Sequence, residues 1–317
     1  MPTKEPTPVN LPAKATIRLG TRASALARWQ AEWVAARLTE LGATVELVFI
    51  KTGGDGTTTP ITESGSQGLF TKEIQRALLD GRVDLAVHSL KDLPTERIDG
   101  LDLAAVPPRE SPNDAFISNQ AASVAQLPSG ARVGTGSRRR QSQLLHARPD
   151  LTVHDIRGNV ETRLQKLDAG DYDAIILAEA GLNRLGLAGR ITQLLPPTMM
   201  LPAVGQGALG LETRTDDQVT IAVVKQLDDA ATHACVVAER ALLAALRGGC
   251  LAPVGAWGRI ANSKLHLDAV VLSADGVTRL ASAVSGDVVA AMALGEEAAR
   301  HLIEQGATAL IAGAREN

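Results

Sequence analysis

Several places in this chain set a cation beside a small or hydroxyl residue: Arg22 with Ser24, Lys91 with Ser89, Arg139 and Arg140 with Ser137, and Arg184 after Gly181. Arg157, just before Gly158-Asn159, and Arg163 lie in a further such segment. A guanidinium matches carboxylates and phosphates in a planar, bidentate fashion. Each charge-assisted hydrogen bond contributes about 1.5–3 kcal/mol. Gathered at one site, these residues would hold a ligand with many negative groups. Any one arginine, Arg138 to Arg140 included, reads equally well as part of a solvated helix face, because exposed ion pairs contribute little. Their recurrence at predicted strand ends favours the anion site.

Two other residues are chemically placed. Asp92 is an acid beside a cation, Lys91, at a strand end. Among arginines, a lone carboxylate stabilises a developing cation or handles protons; its plainer reading is a helix N-cap or a partner of Lys91, which spacing alone favours. Cys250 follows Gly248-Gly249 and precedes Pro253. The glycines end the preceding helical pattern and the proline keeps it from resuming, so the thiol is displayed on a turn. Arg247 nearby would favour the thiolate, although an incidental loop thiol fits the same pattern. Cys235, among Ala234, Val236 and Val237, reads as core. His88 reads as a buried strand residue.

The elements that must position these residues alternate between strand and helix. A strand from Thr16 leads through Thr21-Arg22-Ala23-Ser24 into a helix whose Leu26, Trp29, Trp33, Val34 and Leu41 share a face. A strand over 45–50 opens into a long polar segment, 51–68, of the length expected of a lid. A helix over 69–80 and a near-continuous apolar run, Val83 to Ser89, follow. Such runs are buried parallel strands, and ligands bind at their C-terminal ends. The pattern repeats after Pro107-Pro108: a strand to Gly134 runs into Thr135-Gly136-Ser137, and another, 173–178, runs into Ala180-Gly181. Pro196-Pro197 and Pro202 mark a return crossing.

The expected architecture is therefore α/β, with two doubly wound lobes and a cleft between them. A small α+β C-terminal domain adds a helix, a hairpin around Ala274-Asp275-Gly276 and a closing helix. The predicted division is a disordered tail over 1–14, lobe 1 over 15–107 and 206–227, lobe 2 over 113–200 and the C-terminal domain over 228–317.

Composition narrows the function. A net charge of −3 and 2% aromatic residues argue against a nucleic-acid binder, which needs a basic face or stacking rings. Hydrophobic content of 45% without a membrane-length apolar run reads as soluble, and the N-terminus has no signal-peptide core, so a cytoplasmic location is expected. Two cysteines 15 positions apart make no disulfide framework, and no metal-ligand spacing appears. Of 32 basic residues, 24 are arginine, which suits carboxylate binding.

Five motifs now stand in order: His88-Ser89-Leu90-Lys91-Asp92-Leu93-Pro94, Gly134-Thr135-Gly136-Ser137-Arg138-Arg139-Arg140-Gln141, Arg157-Gly158-Asn159-Val160, Leu201-Pro202-Ala203-Val204-Gly205-Gln206-Gly207-Ala208 and Gly248-Gly249-Cys250. In order and spacing the chain resembles the porphobilinogen deaminases, over about residues 15 to 315. The resemblance implies lobes like those of type II periplasmic binding proteins and a three-stranded antiparallel sheet in the last domain. It also implies head-to-tail condensation of porphobilinogen, with loss of ammonia, into hydroxymethylbilane on a dipyrromethane joined by a thioether to Cys250. Asp92 would stabilise pyrrole cations and assist proton transfer. Arg22, Arg139, Arg140, Arg157, Arg163 and Arg184 would bind acetate and propionate groups, with Ser24, Ser89, Lys91, Thr135, Ser137 and Gln206 in support and Phe70 packed on the pyrroles. A monomer without nucleic-acid or membrane partners is expected. Two departures stand out: Glu63 and Gln67 where the family often has lysines, and Gly136 and Arg138 where it often has serine and leucine. The alternative from another class is a non-catalytic two-lobed anion-binding or ligand-sensing protein, which would need neither a third domain nor Cys250.

Overall fold

A computed structural model describes residues 16–50, 69–249 and 252–316. The tail expected over 1–14, the lid expected over 51–68 with Glu63 and Gln67, Cys250 and the side chain of Phe70 lie outside the described residues.

In chain order, the first lobe begins with β1 (Thr16–Thr21), α1 (Ala25–Glu40), β2 (Thr44–Phe49), α2 (Leu69–Leu79), β3 (Leu85–Ser89) and β4 (Leu101–Ala105). The second contains β5 (Asp114–Ile117), β6 (Arg132–Gly134), α3 (Arg138–Ala147), β7 (Thr152–His154), α4 (Val160–Asp168), β8 (Ala174–Ala178), α5 (Glu179–Arg184) and β9 (Gln193–Leu195). The chain then returns as β10 (Leu209–Arg214) and α6 (Gln218–Val224). It ends with α7 (Ala230–Ala245), β11 (Val254–Ala261), β12 (Lys264–Leu272), β13 (Arg279–Asp287), α8 (Ala291–Glu304) and α9 (Ala307–Glu316).

Two five-stranded sheets share one plan, β2-β1-β3-β10-β4 and β7-β6-β8-β5-β9. In each, the strand fourth in order runs antiparallel to its neighbours. That strand is the one entering directly from the other lobe: β5 follows the first crossing and β10 the second. The lobes are thus joined by two strands that belong to the sheets themselves. Helices cover both faces of each sheet. In the first, the α1 and α6 side holds Leu19, Val34, Leu38 and Val224, and the α2 side holds Ile50, Ile74 and Leu78. In the second, Phe116 and Leu144 lie on one face, and Leu164 and Leu182 on the other. Burial on both faces explains why β3 and β8 read as continuous apolar runs.

The buried stripe of α1 differs from the expected face. It is Gln30, Ala31, Val34 and Leu38. Trp29 and Trp33 lie at its margin, where the guanidinium of Arg184 lies 5.8 Å from the Trp29 ring centre and that of Arg37 lies 4.9 Å from Trp33. Indole rings suit a half-buried boundary where a cation can lie over their faces.

The last domain is the three-stranded antiparallel sheet β11-β12-β13. Leu242 of α7, Leu294 and Leu302 of α8 and Ile311 of α9 share its core with Leu265 and Leu267. The expected closing helix is α8, and the structure adds α9 after it. One buried carboxylate ties this domain to both crossings: Glu239 accepts from Arg109 at 2.6 Å, the Gly205 amide at 2.7 Å and the Gly258 amide at 2.8 Å. Arg109 also donates to the Gln206 carbonyl at 2.7 Å.

Candidate active site

The strand β3 ends at Ser89, and a single 3-10 turn, Leu90–Asp92, follows. Leu90 pins that turn, its side chain buried and its amide bonded to the Ala208 carbonyl at 3.0 Å. The next two residues project differently, Lys91 half-buried and Asp92 exposed. Asp92 is the last residue of the turn rather than its N-cap. The capping reading therefore fails; burial, with Arg140 and Arg139, pushes the Lys91 ammonium down to about 8, against the pull of Asp92 and Asp114.

Hydroxyls at the other strand ends are caps. Ser24 accepts from the Ala27 amide and Ser137 from the Arg140 amide, each at 3.4 Å, so α1 and α3 begin there. Extended backbone at both serines fits the N-cap role. Thr135 accepts from the Ser137 amide at 3.2 Å. Ser89 accepts from Gln30 at 2.8 Å. Arg22 sits half-buried in the turn between β1 and α1.

Arg139 and Arg140, expected on a ligand or on a solvated face, are buried around a carboxylate that the sequence reading passed over. Asp114, at the start of β5 and fully buried, receives Arg139 Nη1 at 2.7 Å and Arg140 Nε at 2.9 Å. Burial would raise its pKa, but Arg139, Arg140 and the bond from Gln206 hold it well below the usual carboxylate range. Gln206 donates to Asp114 at 3.0 Å and to the Pro112 carbonyl at 2.6 Å. Both crossings thus converge on one buried ion cluster. Arg139 also donates to the Leu201 carbonyl at 2.6 Å, yet its buried Nε has no hydrogen-bond partner among the described residues.

The cleft itself is lined by Ser89, Lys91, Arg163, Arg184, Leu26 and Val160. Its enclosed part is about 90 Å³, against roughly 300–1,000 Å³ for a pocket that encloses a drug-sized ligand. Arg184 donates to the Gly207 carbonyl at 2.6 Å, and burial pushes its guanidinium down to about 10 despite Glu110. Arg163 donates to the Gly158 carbonyl at 2.8 Å. Its own burial, then Arg140 and Arg157, disfavour its charge, while Asp155 and Asp92 favour it. Asp92 of the first lobe and Arg163 of the second therefore share one electrostatic environment. Arg157 is exposed and donates to Asp155 at 2.6 Å.

The structure thus brings Ser89, Lys91, Arg163 and Arg184 to one pocket, with Asp92 within electrostatic reach of Lys91 and Arg163, and sets Arg139, Arg140 and Gln206 behind it. Asp114 and Asp155 went unremarked in the sequence. For Asp114 the available signal was an acid directly after the crossing Pro112-Asn113, where a strand end meets both lobes. Cys235 lies buried in α7, its thiol pushed up to about 11 by burial first and Glu239 second. His88 is buried, 3.1 Å from Glu212. Among the described residues no group of three His, Cys, Asp or Glu is placed to hold a metal ion, and no helix is long and apolar enough to cross a membrane.

Family models describe two parts of the chain: the porphobilinogen deaminase dipyrromethane cofactor binding domain over residues 17–222, and the porphobilinogen deaminase C-terminal domain over 233–304. A porphobilinogen deaminase of Syntrophotalea carbinolica is 48% identical over 303 residues, 95% of this chain and 96% of that protein. One of Trichlorobacter lovleyi is 49% identical over 298 residues, 93% and 95% of the two chains. Among solved structures, a lipoprotein of Bacillus subtilis is similar over 67% of this chain and 89% of its own, at 15% identity and a TM-score of 0.45. The Lactococcus lactis GlnP substrate-binding domain 2 is similar over 68% and 88%, at 15% identity and a TM-score of 0.44. With family models spanning most of both sheet-bearing lobes and the C-terminal domain, and relatives alike at almost full length, the chain belongs to the porphobilinogen deaminase family.

Proposed function

We propose that this chain condenses porphobilinogen head to tail, with release of ammonia, into the linear tetrapyrrole hydroxymethylbilane. The observation that carries the reading is that exposed Asp92 acts electrostatically on Lys91 and Arg163, two cleft cations held partly out of water. Porphobilinogen brings two carboxylates per pyrrole and becomes cationic as ammonia leaves. Surplus cations with an exposed acid within electrostatic reach of them suit both demands.

The same residues fit a dipyrromethane. Its carboxylates find Arg163, Arg184 and Lys91 on the cleft wall. When bound through a thioether to Cys250, the group supplies the pyrrole from which the chain is extended. Asp92 lowers the energy of positive charge developing beside it and carries a proton away. Arg22, Arg157, Arg163, Arg184 and Lys91 hold acetate and propionate groups, and Arg140 and Gln206 keep the crossings and Asp114 in place behind them. Ser24, Ser137, Ser89 and Thr135 fix the backbone from which these cations project, and Phe70, at the start of α2, covers the pyrroles. We infer as well a monomer acting in the cytoplasm, where two cysteines suit a reducing compartment. Family membership selects the enzyme over the non-catalytic anion binder.

Intact mass tests the attachment. Wild-type protein from cells supplied with porphobilinogen should be heavier than its bare polypeptide by a dipyrromethane, and Cys250→Ser protein should not. A bare wild-type mass with Cys250 open to thiol reagents would overturn the assignment.

A further inference from the structure

Gly136 and Asp155 are neighbours in space though 19 positions apart in sequence. A Cβ added at Gly136 would come within 2.9 Å of Asp155 Oδ1 and 3.2 Å of the Ile156 carbonyl oxygen. The other oxygen of that carboxylate, Oδ2, receives Arg157 Nε at 2.6 Å. Tyr172 fixes the segment by donating to the Asp155 carbonyl at 2.9 Å. The Arg157 carbonyl accepts from Lys166 at 3.3 Å. Asp155 also acts on Arg163, where it and Asp92 are the two opposite charges. A carboxylate of the protein thus lies among the arginines that the proposed function reserves for carboxylates of the substrate. The space it occupies exists because residue 136 has no side chain.

We propose that Asp155 is a built-in stand-in for a substrate carboxylate: it occupies Arg157 in the unloaded cleft and must be displaced when a pyrrole acetate or propionate binds there. The proposal rests on the porphobilinogen reading for its substrate. The Arg157–Asp155 pair itself rests on geometry. The two side chains are 58% and 52% exposed, so the competition is mild, about 2–5-fold in affinity, the scale of an exposed ion pair. Asp155 therefore tunes how readily the cleft takes up and releases carboxylates. Gly136 sets its position.

Two variants separate charge from placement. Asp155→Asn removes the competing charge, and Gly136→Ser keeps it but displaces the carboxylate, whose Oδ1 would lie 2.9 Å from the added Cβ. Full-length proteins are treated with phenylglyoxal, and modification of Arg157 is followed by peptide mass spectrometry. In parallel, KM and kcat for porphobilinogen are measured. Arg157 should be labelled about 2–5-fold faster in both variants, and KM should fall by a similar factor. Unchanged labelling in Asp155→Asn, or a rise of KM in both variants, would overturn the proposal, the second by making Asp155 a positioner of Arg157. Should Gly136→Ser not fold, Gly136→Ala meets the same oxygen and serves in its place. If wild-type protein fails to turn over porphobilinogen, the proposed function falls and the labelling decides alone whether Asp155 occupies Arg157.

Discussion

Asp114 Oδ1, fully buried at the start of β5, lies 2.7 Å from Nη2 of Arg140 on α3. Arg139 reaches the other carboxylate oxygen. Removing the acid would leave two guanidinium groups in the interior without their counter-charge. Asp114→Asn is therefore expected to cost about 3–5 kcal/mol, the range for breaking a buried pair, as read by urea denaturation. A loss below about 1 kcal/mol would show that the arginines find other partners.

The same acid sets a pH dependence. Its folded pKa lies well below the unfolded value of about 3.9, so its stabilisation is complete above the unfolded pKa and is lost as pH falls toward the folded one. Asp84 behaves alike: burial opposes its charge, but Arg18 and Arg214 bring it to about 2. Stability should thus be flat near neutrality and fall from about pH 4 downward, and Asp114→Asn should flatten part of that slope.

Lys91 gives a prediction on the alkaline side. Its ammonium, brought down to about 8, is charged below that pH and neutral above it. The KM for porphobilinogen should rise between pH 7 and pH 9 as the cation is lost. Lys91→Arg, charged throughout, should flatten that rise whatever it does to kcat, because an arginine keeps its proton over the range. A KM profile identical in the two proteins would remove Lys91 from carboxylate binding.

Gly207 holds the crossings together. Its φ is +86°, and a Cβ there would lie 2.3 Å from the Glu110 carbonyl oxygen and 2.7 Å from that of Ser111. Its own carbonyl accepts from Arg184 and from the Glu110 amide. Gly207→Ala should lower stability by more than the roughly 1–2 kcal/mol of left-handed backbone, since the clash is with backbone that cannot rotate away. It should depress kcat as well, because Arg184 moves with it. Wild-type thermal stability in this variant would contradict the geometry.

Local signals in the sequence carried the elements that bear chemistry. The apolar run ending in Ser89 and the glycine-bounded hairpin between β12 and β13 depend on neighbours a few positions away, and local patterning records them. Asp114 was not legible because its partners lie far along the chain, and Asp155, though only two positions before Arg157, carries no motif of its own. Asp114 meets Arg139 and Arg140 about 25 residues on and Gln206 92 residues on. The face of α1 was misjudged for a related reason: Trp29 and Trp33 look apolar in sequence but sit at a boundary under arginines. Strands as short as β7 and β9, three residues each, carry too few positions for alternation to register.

The central claim is that Asp92 assists deamination and coupling in this cleft. The most direct test compares wild type and Asp92→Asn, measuring ammonia and linear tetrapyrrole released from porphobilinogen. Wild type should release both, and Asp92→Asn should be slower by at least ~100-fold, the lower bound for a positioned acid–base group. Its fold, judged by urea denaturation, should be retained, because Asp92 is exposed. Near-equal rates of product formation in the two proteins would contradict the account.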